Sequence, residues 1–304
     1  MKRRDFIAKS TALGTAVAAT GAAPAFSADI KKGEKPFQMK YAPHFGMFKH
    51  SAGDDYEDQI QFMYDQGFRA LEDNNMARKS VEEQKKIGNK MEKLGMEMGV
   101  FVLRWPSNTP LTDPSKEVRE EFVKAAKESV EVAKRVNAKW MTVVPRTKDL
   151  KMDMGYQTVT VIDTLKAACE VLEPHNLTMV LEPLNFRNHP GFFLHKASQG
   201  FEICKAVGSP SCKLLFDIYH IQIEEGNIIP NIELSWDEIA YFQIGDNPGR
   251  KEPTTGEINY KNIFKFIRDK GYKDKILGME HGNFHPGKEG EESLIKAYRS
   301  VDDF

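Results

Sequence analysis

The sequence is poor in cysteine, and it carries no excess of either charge. Only three of its 304 residues are cysteine, namely Cys169, Cys204 and Cys212. An odd and low count excludes a disulfide framework, so we expect buried free thiols, with a Cys204–Cys212 pair left open. The 43 Lys and Arg residues are balanced by 44 Asp and Glu, for a formal net charge of −1. Because nucleic-acid binding requires a basic face, this balance argues against a nucleic-acid partner.

Long apolar runs and low-complexity linkers are also missing. The longest weakly apolar run, Thr11–Ala25, is too short for a transmembrane helix. It follows Lys2-Arg3-Arg4-Asp5-Phe6-Ile7 and leads to small residues around Ala23-Pro24-Ala25 and Ser27-Ala28. This layout is typical of an export signal, and the paired arginines resemble the twin-arginine type, with Lys2 where Ser or Thr is usual.

We therefore expect residues 1–28 to be a twin-arginine-type signal peptide and residues 29–304 to form one domain. The signal predicts export by the twin-arginine machinery to the periplasm or another site outside the cytoplasm, with no membrane contact in the mature form. Its removal takes away four basic side chains and one acidic side chain, so the formal net charge becomes −4. The oligomeric state stays open, with a homo-oligomer as one alternative.

From residue 37 onward the chain repeats a strand, a polar loop and an amphipathic helix that commonly ends at Gly or Asn. The predicted strands are Gln38–Ala42, Arg69–Glu72, Gly99–Leu103, Trp140–Val144, Met179–Glu182, Lys213–Phe216, Ile239–Ile244 and Ile276–Met279. Eight such units in about 250 residues predict an α/β fold, a single (β/α)8 TIM barrel. An open doubly wound sheet is the alternative, but the first predicted strand lacks the glycine-rich phosphate turn expected there.

Polar residues occupy the same place at the ends of four consecutive predicted strands. They are Glu182, Asp217, Gln243 and Glu280. In a barrel the carboxyl ends of the strands meet, so these side chains should lie within a few ångströms of each other. Three carboxylates there would repel each other unless a divalent cation bound them, and oxygen ligands favour Mg²⁺ or Mn²⁺. The alternative for each is a structural carboxylate in an ion pair.

The same four residues resemble the ligand set of the xylose isomerase-like barrel superfamily. Longer stretches look like hydroxypyruvate isomerase; they are Pro190–Leu194, Asp217-Ile218-Tyr219-His220, Gln243–Arg250 and Glu252–Tyr260. The resemblance is specific from Glu182 to Gly282 and only architectural over residues 37–178. Hydroxypyruvate isomerases that it resembles are cytosolic, so the leader is a departure from the family.

The resemblance implies an aldose–ketose type isomerase that interconverts hydroxypyruvate and tartronate semialdehyde, or a similar small keto acid or keto sugar, through an enediol. Glu182 and Glu280 would be the catalytic acid–base pair, and the metal would hold the substrate oxygens. His220, expected at the rim, and Arg250 would bind substrate; the alternatives are a loop histidine and a solvated arginine.

Five further residues are candidates for the opening of the barrel, without an assigned role: His44, Arg104, Arg146, His189 and His281. By alternation along the last strand, His281 should point away from Glu280.

Two other functions stay open. An exported keto-sugar 3-epimerase or lyase would use the same metal site, and the leader favours it. A non-catalytic sugar-binding barrel is disfavoured because binding alone does not need two glutamates placed for proton transfer. A nuclease on this barrel would need more histidine ligands and a basic surface.

Overall fold

The computed structural model describes residues 34–107, 109–271 and 275–304, and the signal peptide expected at residues 1–28 lies outside them. The strands are β1 Lys40–Ala42, β2 Ala70–Leu71, β3 Glu97–Met98, β4 Phe101–Val102, β5 Trp140–Val143, β6 Thr178–Leu181, β7 Cys212–Asp217, β8 Ile239–Gln243 and β9 Ile276–Gly278. The α-helices are α1 Lys49–Ala52, α2 Tyr56–Asp65, α3 Val81–Leu94, α4 Lys116–Val136, α5 Met154–Leu172, α6 Ala197–Val207, α7 Ile218–Glu224, α8 Ile228–Ser235, α9 Tyr260–Asp269 and α10 Gly287–Val301.

The strands form the predicted TIM barrel. A parallel ladder runs in the order β1-β9-β8-β7-β6-β5-β4, and β2 pairs in parallel with β3. Of the two short segments in this region, β4 lies within the predicted third strand, Gly99–Leu103, and β3 lies directly before it. Backbone hydrogen bonds complete the circle: the Glu72 N–H donates to Pro43 O at 3.2 Å, and the Gly99 N–H donates to Leu71 O at 2.7 Å.

The centre of the barrel is apolar and closely packed. A layer of buried side chains fills it, contributed by Ala42, Ala70, Val100, Val180, Leu215, Tyr241 and Ile276. A larger apolar cluster lies between the strands and the surrounding helices. Because the barrel is filled, the polar residues at the carboxyl ends of the strands can meet only above this layer, in the opening that we call the mouth.

Local signals explain most helix boundaries. Helix α3 begins with a capping box between Ser80 and Glu83 and ends at Gly95 in the left-handed conformation. The turn before helix α5 is ordered by the buried Gln157, whose side chain hydrogen-bonds Asp149 and Met152.

The described residues show the state of the three cysteines and the length and polarity of the helices. Cys169, Cys204 and Cys212 are all free and buried, so the expected thiols are confirmed and Cys204 and Cys212 do not pair. Among the helices that the structure describes, none is long and apolar enough to span a membrane.

Candidate active site

The four residues predicted as metal ligands all lie in the mouth. Glu182 directly follows β6, Asp217 and Gln243 are the last residues of β7 and β8, and Glu280 follows β9 by two residues. The Gln243 Nε2 atom is 3.3 Å from Glu280 Oε2. The carboxylates of Glu182 and Asp217 lie within 4.8 Å of one another. Arg250 joins the two pairs, with its Nη2 atom 3.1 Å from Asp217 Oδ2 and 3.8 Å from Glu280 Oε1.

Asp217 is oriented by the short helix α7 that follows it. Its Oδ1 atom accepts hydrogen bonds from the backbone N–H groups of Tyr219 at 2.8 Å and His220 at 3.4 Å. These bonds cap the helix and leave Oδ2 facing the mouth. Asp217 is fully buried, and donors hold both of its carboxylate oxygens: the two backbone N–H groups at Oδ1 and the Arg250 guanidinium at Oδ2.

His220 is not at the rim, as expected from the sequence, but is 1% exposed. Helix α7 turns it inward, so that Nε2 lies 3.8 Å from Glu182 Oε1 and 3.6 Å from Asp217 Oδ2. Its Nδ1 atom accepts the Asn185 backbone N–H at 3.2 Å. Because a backbone amide can only donate, the neutral ring carries its proton on Nε2, and burial lowers the pKa of His220 to about 4. The Nε2–H group thus faces the two carboxylates at distances too long for a hydrogen bond, and the proton on Nε2 makes His220 a poor metal ligand.

The buried Glu72 and the partly buried His44 form a pair beside Glu280 that no sequence pattern singled out. Glu72 Oε2 accepts a hydrogen bond from the Tyr241 hydroxyl at 2.7 Å, and Oε1 accepts one from Gln243 Nε2 at 3.2 Å. His44 Nε2 lies 2.6 Å from Glu72 Oε1 and 3.1 Å from Glu280 Oε2. The available signal was position: Glu72 ends a short strand in the same way as Glu182.

The environments of Glu182 and Glu280 push their pKa values in opposite directions. Burial and the negative charges of Asp217 and Glu280 raise the pKa of Glu182 well above its usual range. Burial would also raise the pKa of Glu280, but the hydrogen bond and charge of His44, with Arg250 and Asn74, hold it at about 2. Without a cation, one carboxyl group therefore retains its proton while the other is ionised, which is the arrangement of an acid–base pair.

The donor set fits a hard divalent cation. Gln243 Nε2 is held by Glu72 and Glu280, which fixes the orientation of the amide, and its Oε1 atom is buried without a hydrogen-bond partner. An orphaned buried oxygen is costly unless a ligand satisfies it. Together with the carboxylates of Glu182, Asp217 and Glu280 it gives an all-oxygen set of the kind that Mg²⁺ and Mn²⁺ prefer.

Arg250 and His281 lie on opposite sides of Glu280. The guanidinium Nε of Arg250 donates to Glu280 O at 3.1 Å, and its carbon lies 4.9 Å from the centre of the Tyr219 ring. The alternative of a solvated rim arginine is therefore wrong. His281 Nε2 is 2.7 Å from the Tyr298 hydroxyl on α10, which confirms that it points away from Glu280.

Described residues of the mouth line a polar lobe and an arginine lobe, our names for two separate cavities. The polar lobe, about 360 Å³, is lined by residues that include His44, Asn74, Arg250 and Glu280. The arginine lobe, about 420 Å³, is lined by residues that include Arg104, Trp105, Arg146, Leu184, His189 and Phe192. Arg104, Arg146, His44, His189 and His281, the candidates left without a role by the sequence, thus all line one lobe or the other.

Comparisons with known proteins agree with this architecture. Over 122 residues the chain is 36% identical both to 2-oxo-tetronate isomerase of Cupriavidus necator and to hydroxypyruvate isomerase of Escherichia coli K12. Each match covers 40% of this chain, and 46% and 47% of those proteins, so the chain spans about half the length of the curated relatives it matches.

The crystal structure of AP endonuclease, family 2, from Brucella melitensis has the same fold. Its TM-score is 0.73 at 21% identity, over 83% of this chain and 96% of that one. The family model for the xylose isomerase-like TIM barrel matches residues 60–301. The chain belongs to the xylose isomerase-like TIM barrel family.

Proposed function

We propose that the protein is a divalent-cation-dependent isomerase of small 2-keto acids, interconverting hydroxypyruvate and tartronate semialdehyde or a close homologue. One observation carries the proposal: Glu182 and Glu280 bring two carboxylates into one mouth, where Asp217 lies within 4.8 Å of Glu182 and Arg250 links Asp217 to Glu280. Moving a hydrogen between neighbouring carbons requires a base for one carbon and an acid for the other.

In the proposed reaction Glu280 removes a proton from the hydroxyl-bearing carbon, leaving an enediolate. Glu280 or Glu182 then returns a proton to the former carbonyl carbon while the hydroxyl proton passes to the neighbouring oxygen, and proton exchange with solvent restores both glutamates. The His220 Nε2–H group, fixed by the Asn185 backbone amide, donates a hydrogen bond to a substrate oxygen as charge develops there. His44 keeps Glu280 ionised between turnovers.

The cation would be Mg²⁺ or Mn²⁺, held by Glu182, Asp217, Gln243 and Glu280. When bound, it would act as a Lewis acid that polarises the carbonyl group and makes the neighbouring proton easier to remove. A site built from four strands exists only in the folded state, so chelation should lower the melting temperature and added Mn²⁺ or Mg²⁺ should restore it.

The relatives support the keto-acid assignment, because 2-oxo-tetronate isomerase and hydroxypyruvate isomerase are the names of proteins that match the chain at 36% identity. The leader supports a site of action outside the cytoplasm, reached through the twin-arginine machinery. In this proposal the protein binds a small-molecule substrate and does not bind nucleic acid.

A keto-sugar 3-epimerase or lyase on the same site is the second candidate. The leader favours it, and so does the arginine lobe of about 420 Å³, which exceeds what a three-carbon acid needs. A non-catalytic sugar-binding barrel would leave the paired glutamates without a role.

Carbon NMR of metal-loaded protein with hydroxypyruvate, 2-oxo-tetronate and D-fructose distinguishes these candidates. The proposal predicts conversion of a keto acid to its aldehyde isomer. Epimerisation of fructose without conversion of either acid would support the second candidate, and no conversion of any compound would contradict both.

A further inference from the structure

The arginine lobe is chemically distinct from the polar lobe that contains the proposed reacting groups. Its walls include the apolar or aromatic side chains of Leu103, Trp105, Leu184 and Phe192. None of the described residues that line it is acidic, whereas the polar lobe includes Asp73 and Glu280. An apolar cavity with convergent cationic groups is suited to an organic ligand that carries a negative charge.

Arg104 supplies the main cationic group. Its Nη2 atom makes only long contacts, 3.5 Å to Asn74 O and 3.4 Å to Asn75 Oδ1. Its Nε atom is buried and has no hydrogen-bond partner among the residues that the structure describes. Arg104 forms no ion pair within residues 34–107, 109–271 and 275–304. A guanidinium fork with unused donors matches a carboxylate or phosphate group.

Arg146 lies on the same cavity and is held in an unusual backbone conformation. Its φ angle is +72°, in the left-handed region that side chains other than glycine rarely adopt. Its guanidinium carbon lies 4.3 Å from the centre of the Trp105 ring. The neighbouring loop fixes this geometry, since the Phe193 N–H donates to Arg146 O at 2.7 Å. Strain of this kind is retained where surrounding contacts impose it, commonly at binding sites.

The arginine lobe lies one imidazole ring away from the proposed acid. The ring centres of His189, which lines the lobe, and His220 are 5.4 Å apart. His220 Nε2 is in turn 3.8 Å from Glu182 Oε1. Arg104 also touches Asn74, whose amide donates to Glu280 at 3.0 Å. One extended ligand can therefore reach from the carboxylates into the lobe.

Arg250 is less suited to hold the anionic end of a substrate. Its guanidinium is already shared between Asp217 Oδ2 at 3.1 Å and Glu280 Oε1 at 3.8 Å. A substrate carboxylate there would compete with two carboxylates of the protein, and electrostatic repulsion would oppose it.

We propose that the arginine lobe binds the anionic end of an extended substrate, a carboxylate or a phosphate ester, several bonds away from the reacting carbons, with Arg104 as the specificity-determining residue and Arg146 beside it. This inference rests on the proposed function for the identity of the reacting carbons. It favours acyclic keto acids of four or more carbons, or phosphorylated keto sugars, over hydroxypyruvate and neutral sugars.

A binding experiment with compounds that cannot react separates this inference from the proposed function. D-gluconate and D-glucitol differ only in a carboxylate replacing a terminal hydroxymethyl group, and glucitol 6-phosphate provides the phosphate arm. Calorimetric titration would use the full chain in chelator, so that no ion captures the anion. The variants are Arg104→Gln, the charge-retaining Arg104→Lys, and Lys265→Gln as a charge-removing control, because Lys265 is exposed on α9 and does not line the lobe.

We expect one of the anions to bind the wild type at least about tenfold more tightly than glucitol. Arg104→Gln should remove that difference, Arg104→Lys should keep part of it, and Lys265→Gln should leave it unchanged. Equal affinity for gluconate, glucitol 6-phosphate and glucitol, an unaffected Arg104→Gln variant, or no measurable anion binding at millimolar concentration would each overturn the inference. A loss of turnover with intact anion binding would contradict the proposed function alone.

Discussion

Replacing Gly278 by alanine tests whether Glu72 is locked beneath the candidate metal site. A Cβ atom added at Gly278 would lie 1.9 Å from Glu72 Oε2 and 2.4 Å from Glu72 Cδ, so the carboxylate would have to move. It has little room, because its partner Tyr241 already fills the space beside Gly99, with the hydroxyl 2.3 Å from where a Cβ would lie. The absence of side chains at Gly99 and Gly278 is thus what admits the buried Glu72–Tyr241 pair.

The expected cost of Gly278→Ala combines two effects. Overpacking a barrel interior costs about 1–3 kcal/mol. Loss of the hydrogen bond from Tyr241 to a buried carboxylate adds about 1.5–3 kcal/mol, for a total of about 2.5–6 kcal/mol. At roughly 2–4 °C per kcal/mol for a domain of this size, the melting temperature should fall by about 10 °C.

The assay is urea unfolding of metal-free protein, with Gly155→Ala as the control. A Cβ at Gly155, in α5, would meet no atom within 4 Å, so this change should be neutral or stabilising by up to about 1 kcal/mol. In a Glu72→Ala background the cost of Gly278→Ala should nearly disappear, because the clashing carboxylate is gone. An equal cost in both backgrounds, or no cost in the wild type, would refute the reasoning.

Three further predictions concern the titrating and ligating groups. Burial and neighbouring carboxylates raise the pKa of Glu182, so binding of Mn²⁺ at about pH 5 should release about one proton. Calorimetry in buffers of different ionisation enthalpy measures this release. Release that persists in Glu182→Gln would contradict the assignment. Asp217→Asn should weaken Mn²⁺ affinity by about tenfold or more, and activity should recover partly in excess Mn²⁺; a defect that Mn²⁺ never relieves would exclude a ligand role. Burial lowers the pKa of His281 to about 4, so its neutral form contributes stability that is complete above about pH 6.5 and is lost as the pH falls toward 4. The free energy of unfolding of the wild type should therefore decline over that range relative to His281→Gln, by at most about 1.4 kcal/mol per pH unit, and parallel urea-unfolding profiles would contradict this.

Position along the strands was enough to predict the barrel and the place of the four ligand candidates. Each of the four candidates ends or follows a strand: Glu182, Asp217, Gln243 and Glu280. Parallel strands bring residues at these positions together regardless of side-chain type or rotamer. The match of Asp217 and Gln243 across the β7–β8 ladder follows from this register alone.

The contacts beneath the site could not be predicted in the same way. The pair of Glu72 with Tyr241 depends on the space left at Gly278 and Gly99, which no pattern of apolar residues reveals. His220 was expected at the rim because a loop was assumed after Asp217, but Asp217 caps a seven-residue helix that turns the imidazole inward. Side-chain direction at an irregular strand end is set by tertiary packing, so the sequence signal stops there.

Hydrogen exchange at the substrate carbons tests the central claim, that Glu182 and Glu280 move a proton between neighbouring carbons. Proton NMR in deuterated water would follow hydroxypyruvate and 2-oxo-tetronate with Mg²⁺-loaded wild type, Glu182→Gln and Glu280→Gln, with metal saturation verified by calorimetry. The wild type should incorporate deuterium at the hydroxyl-bearing carbon, and each variant should be slower by about a hundredfold or more. Exchange at a near wild-type rate in either metal-saturated variant would contradict the account.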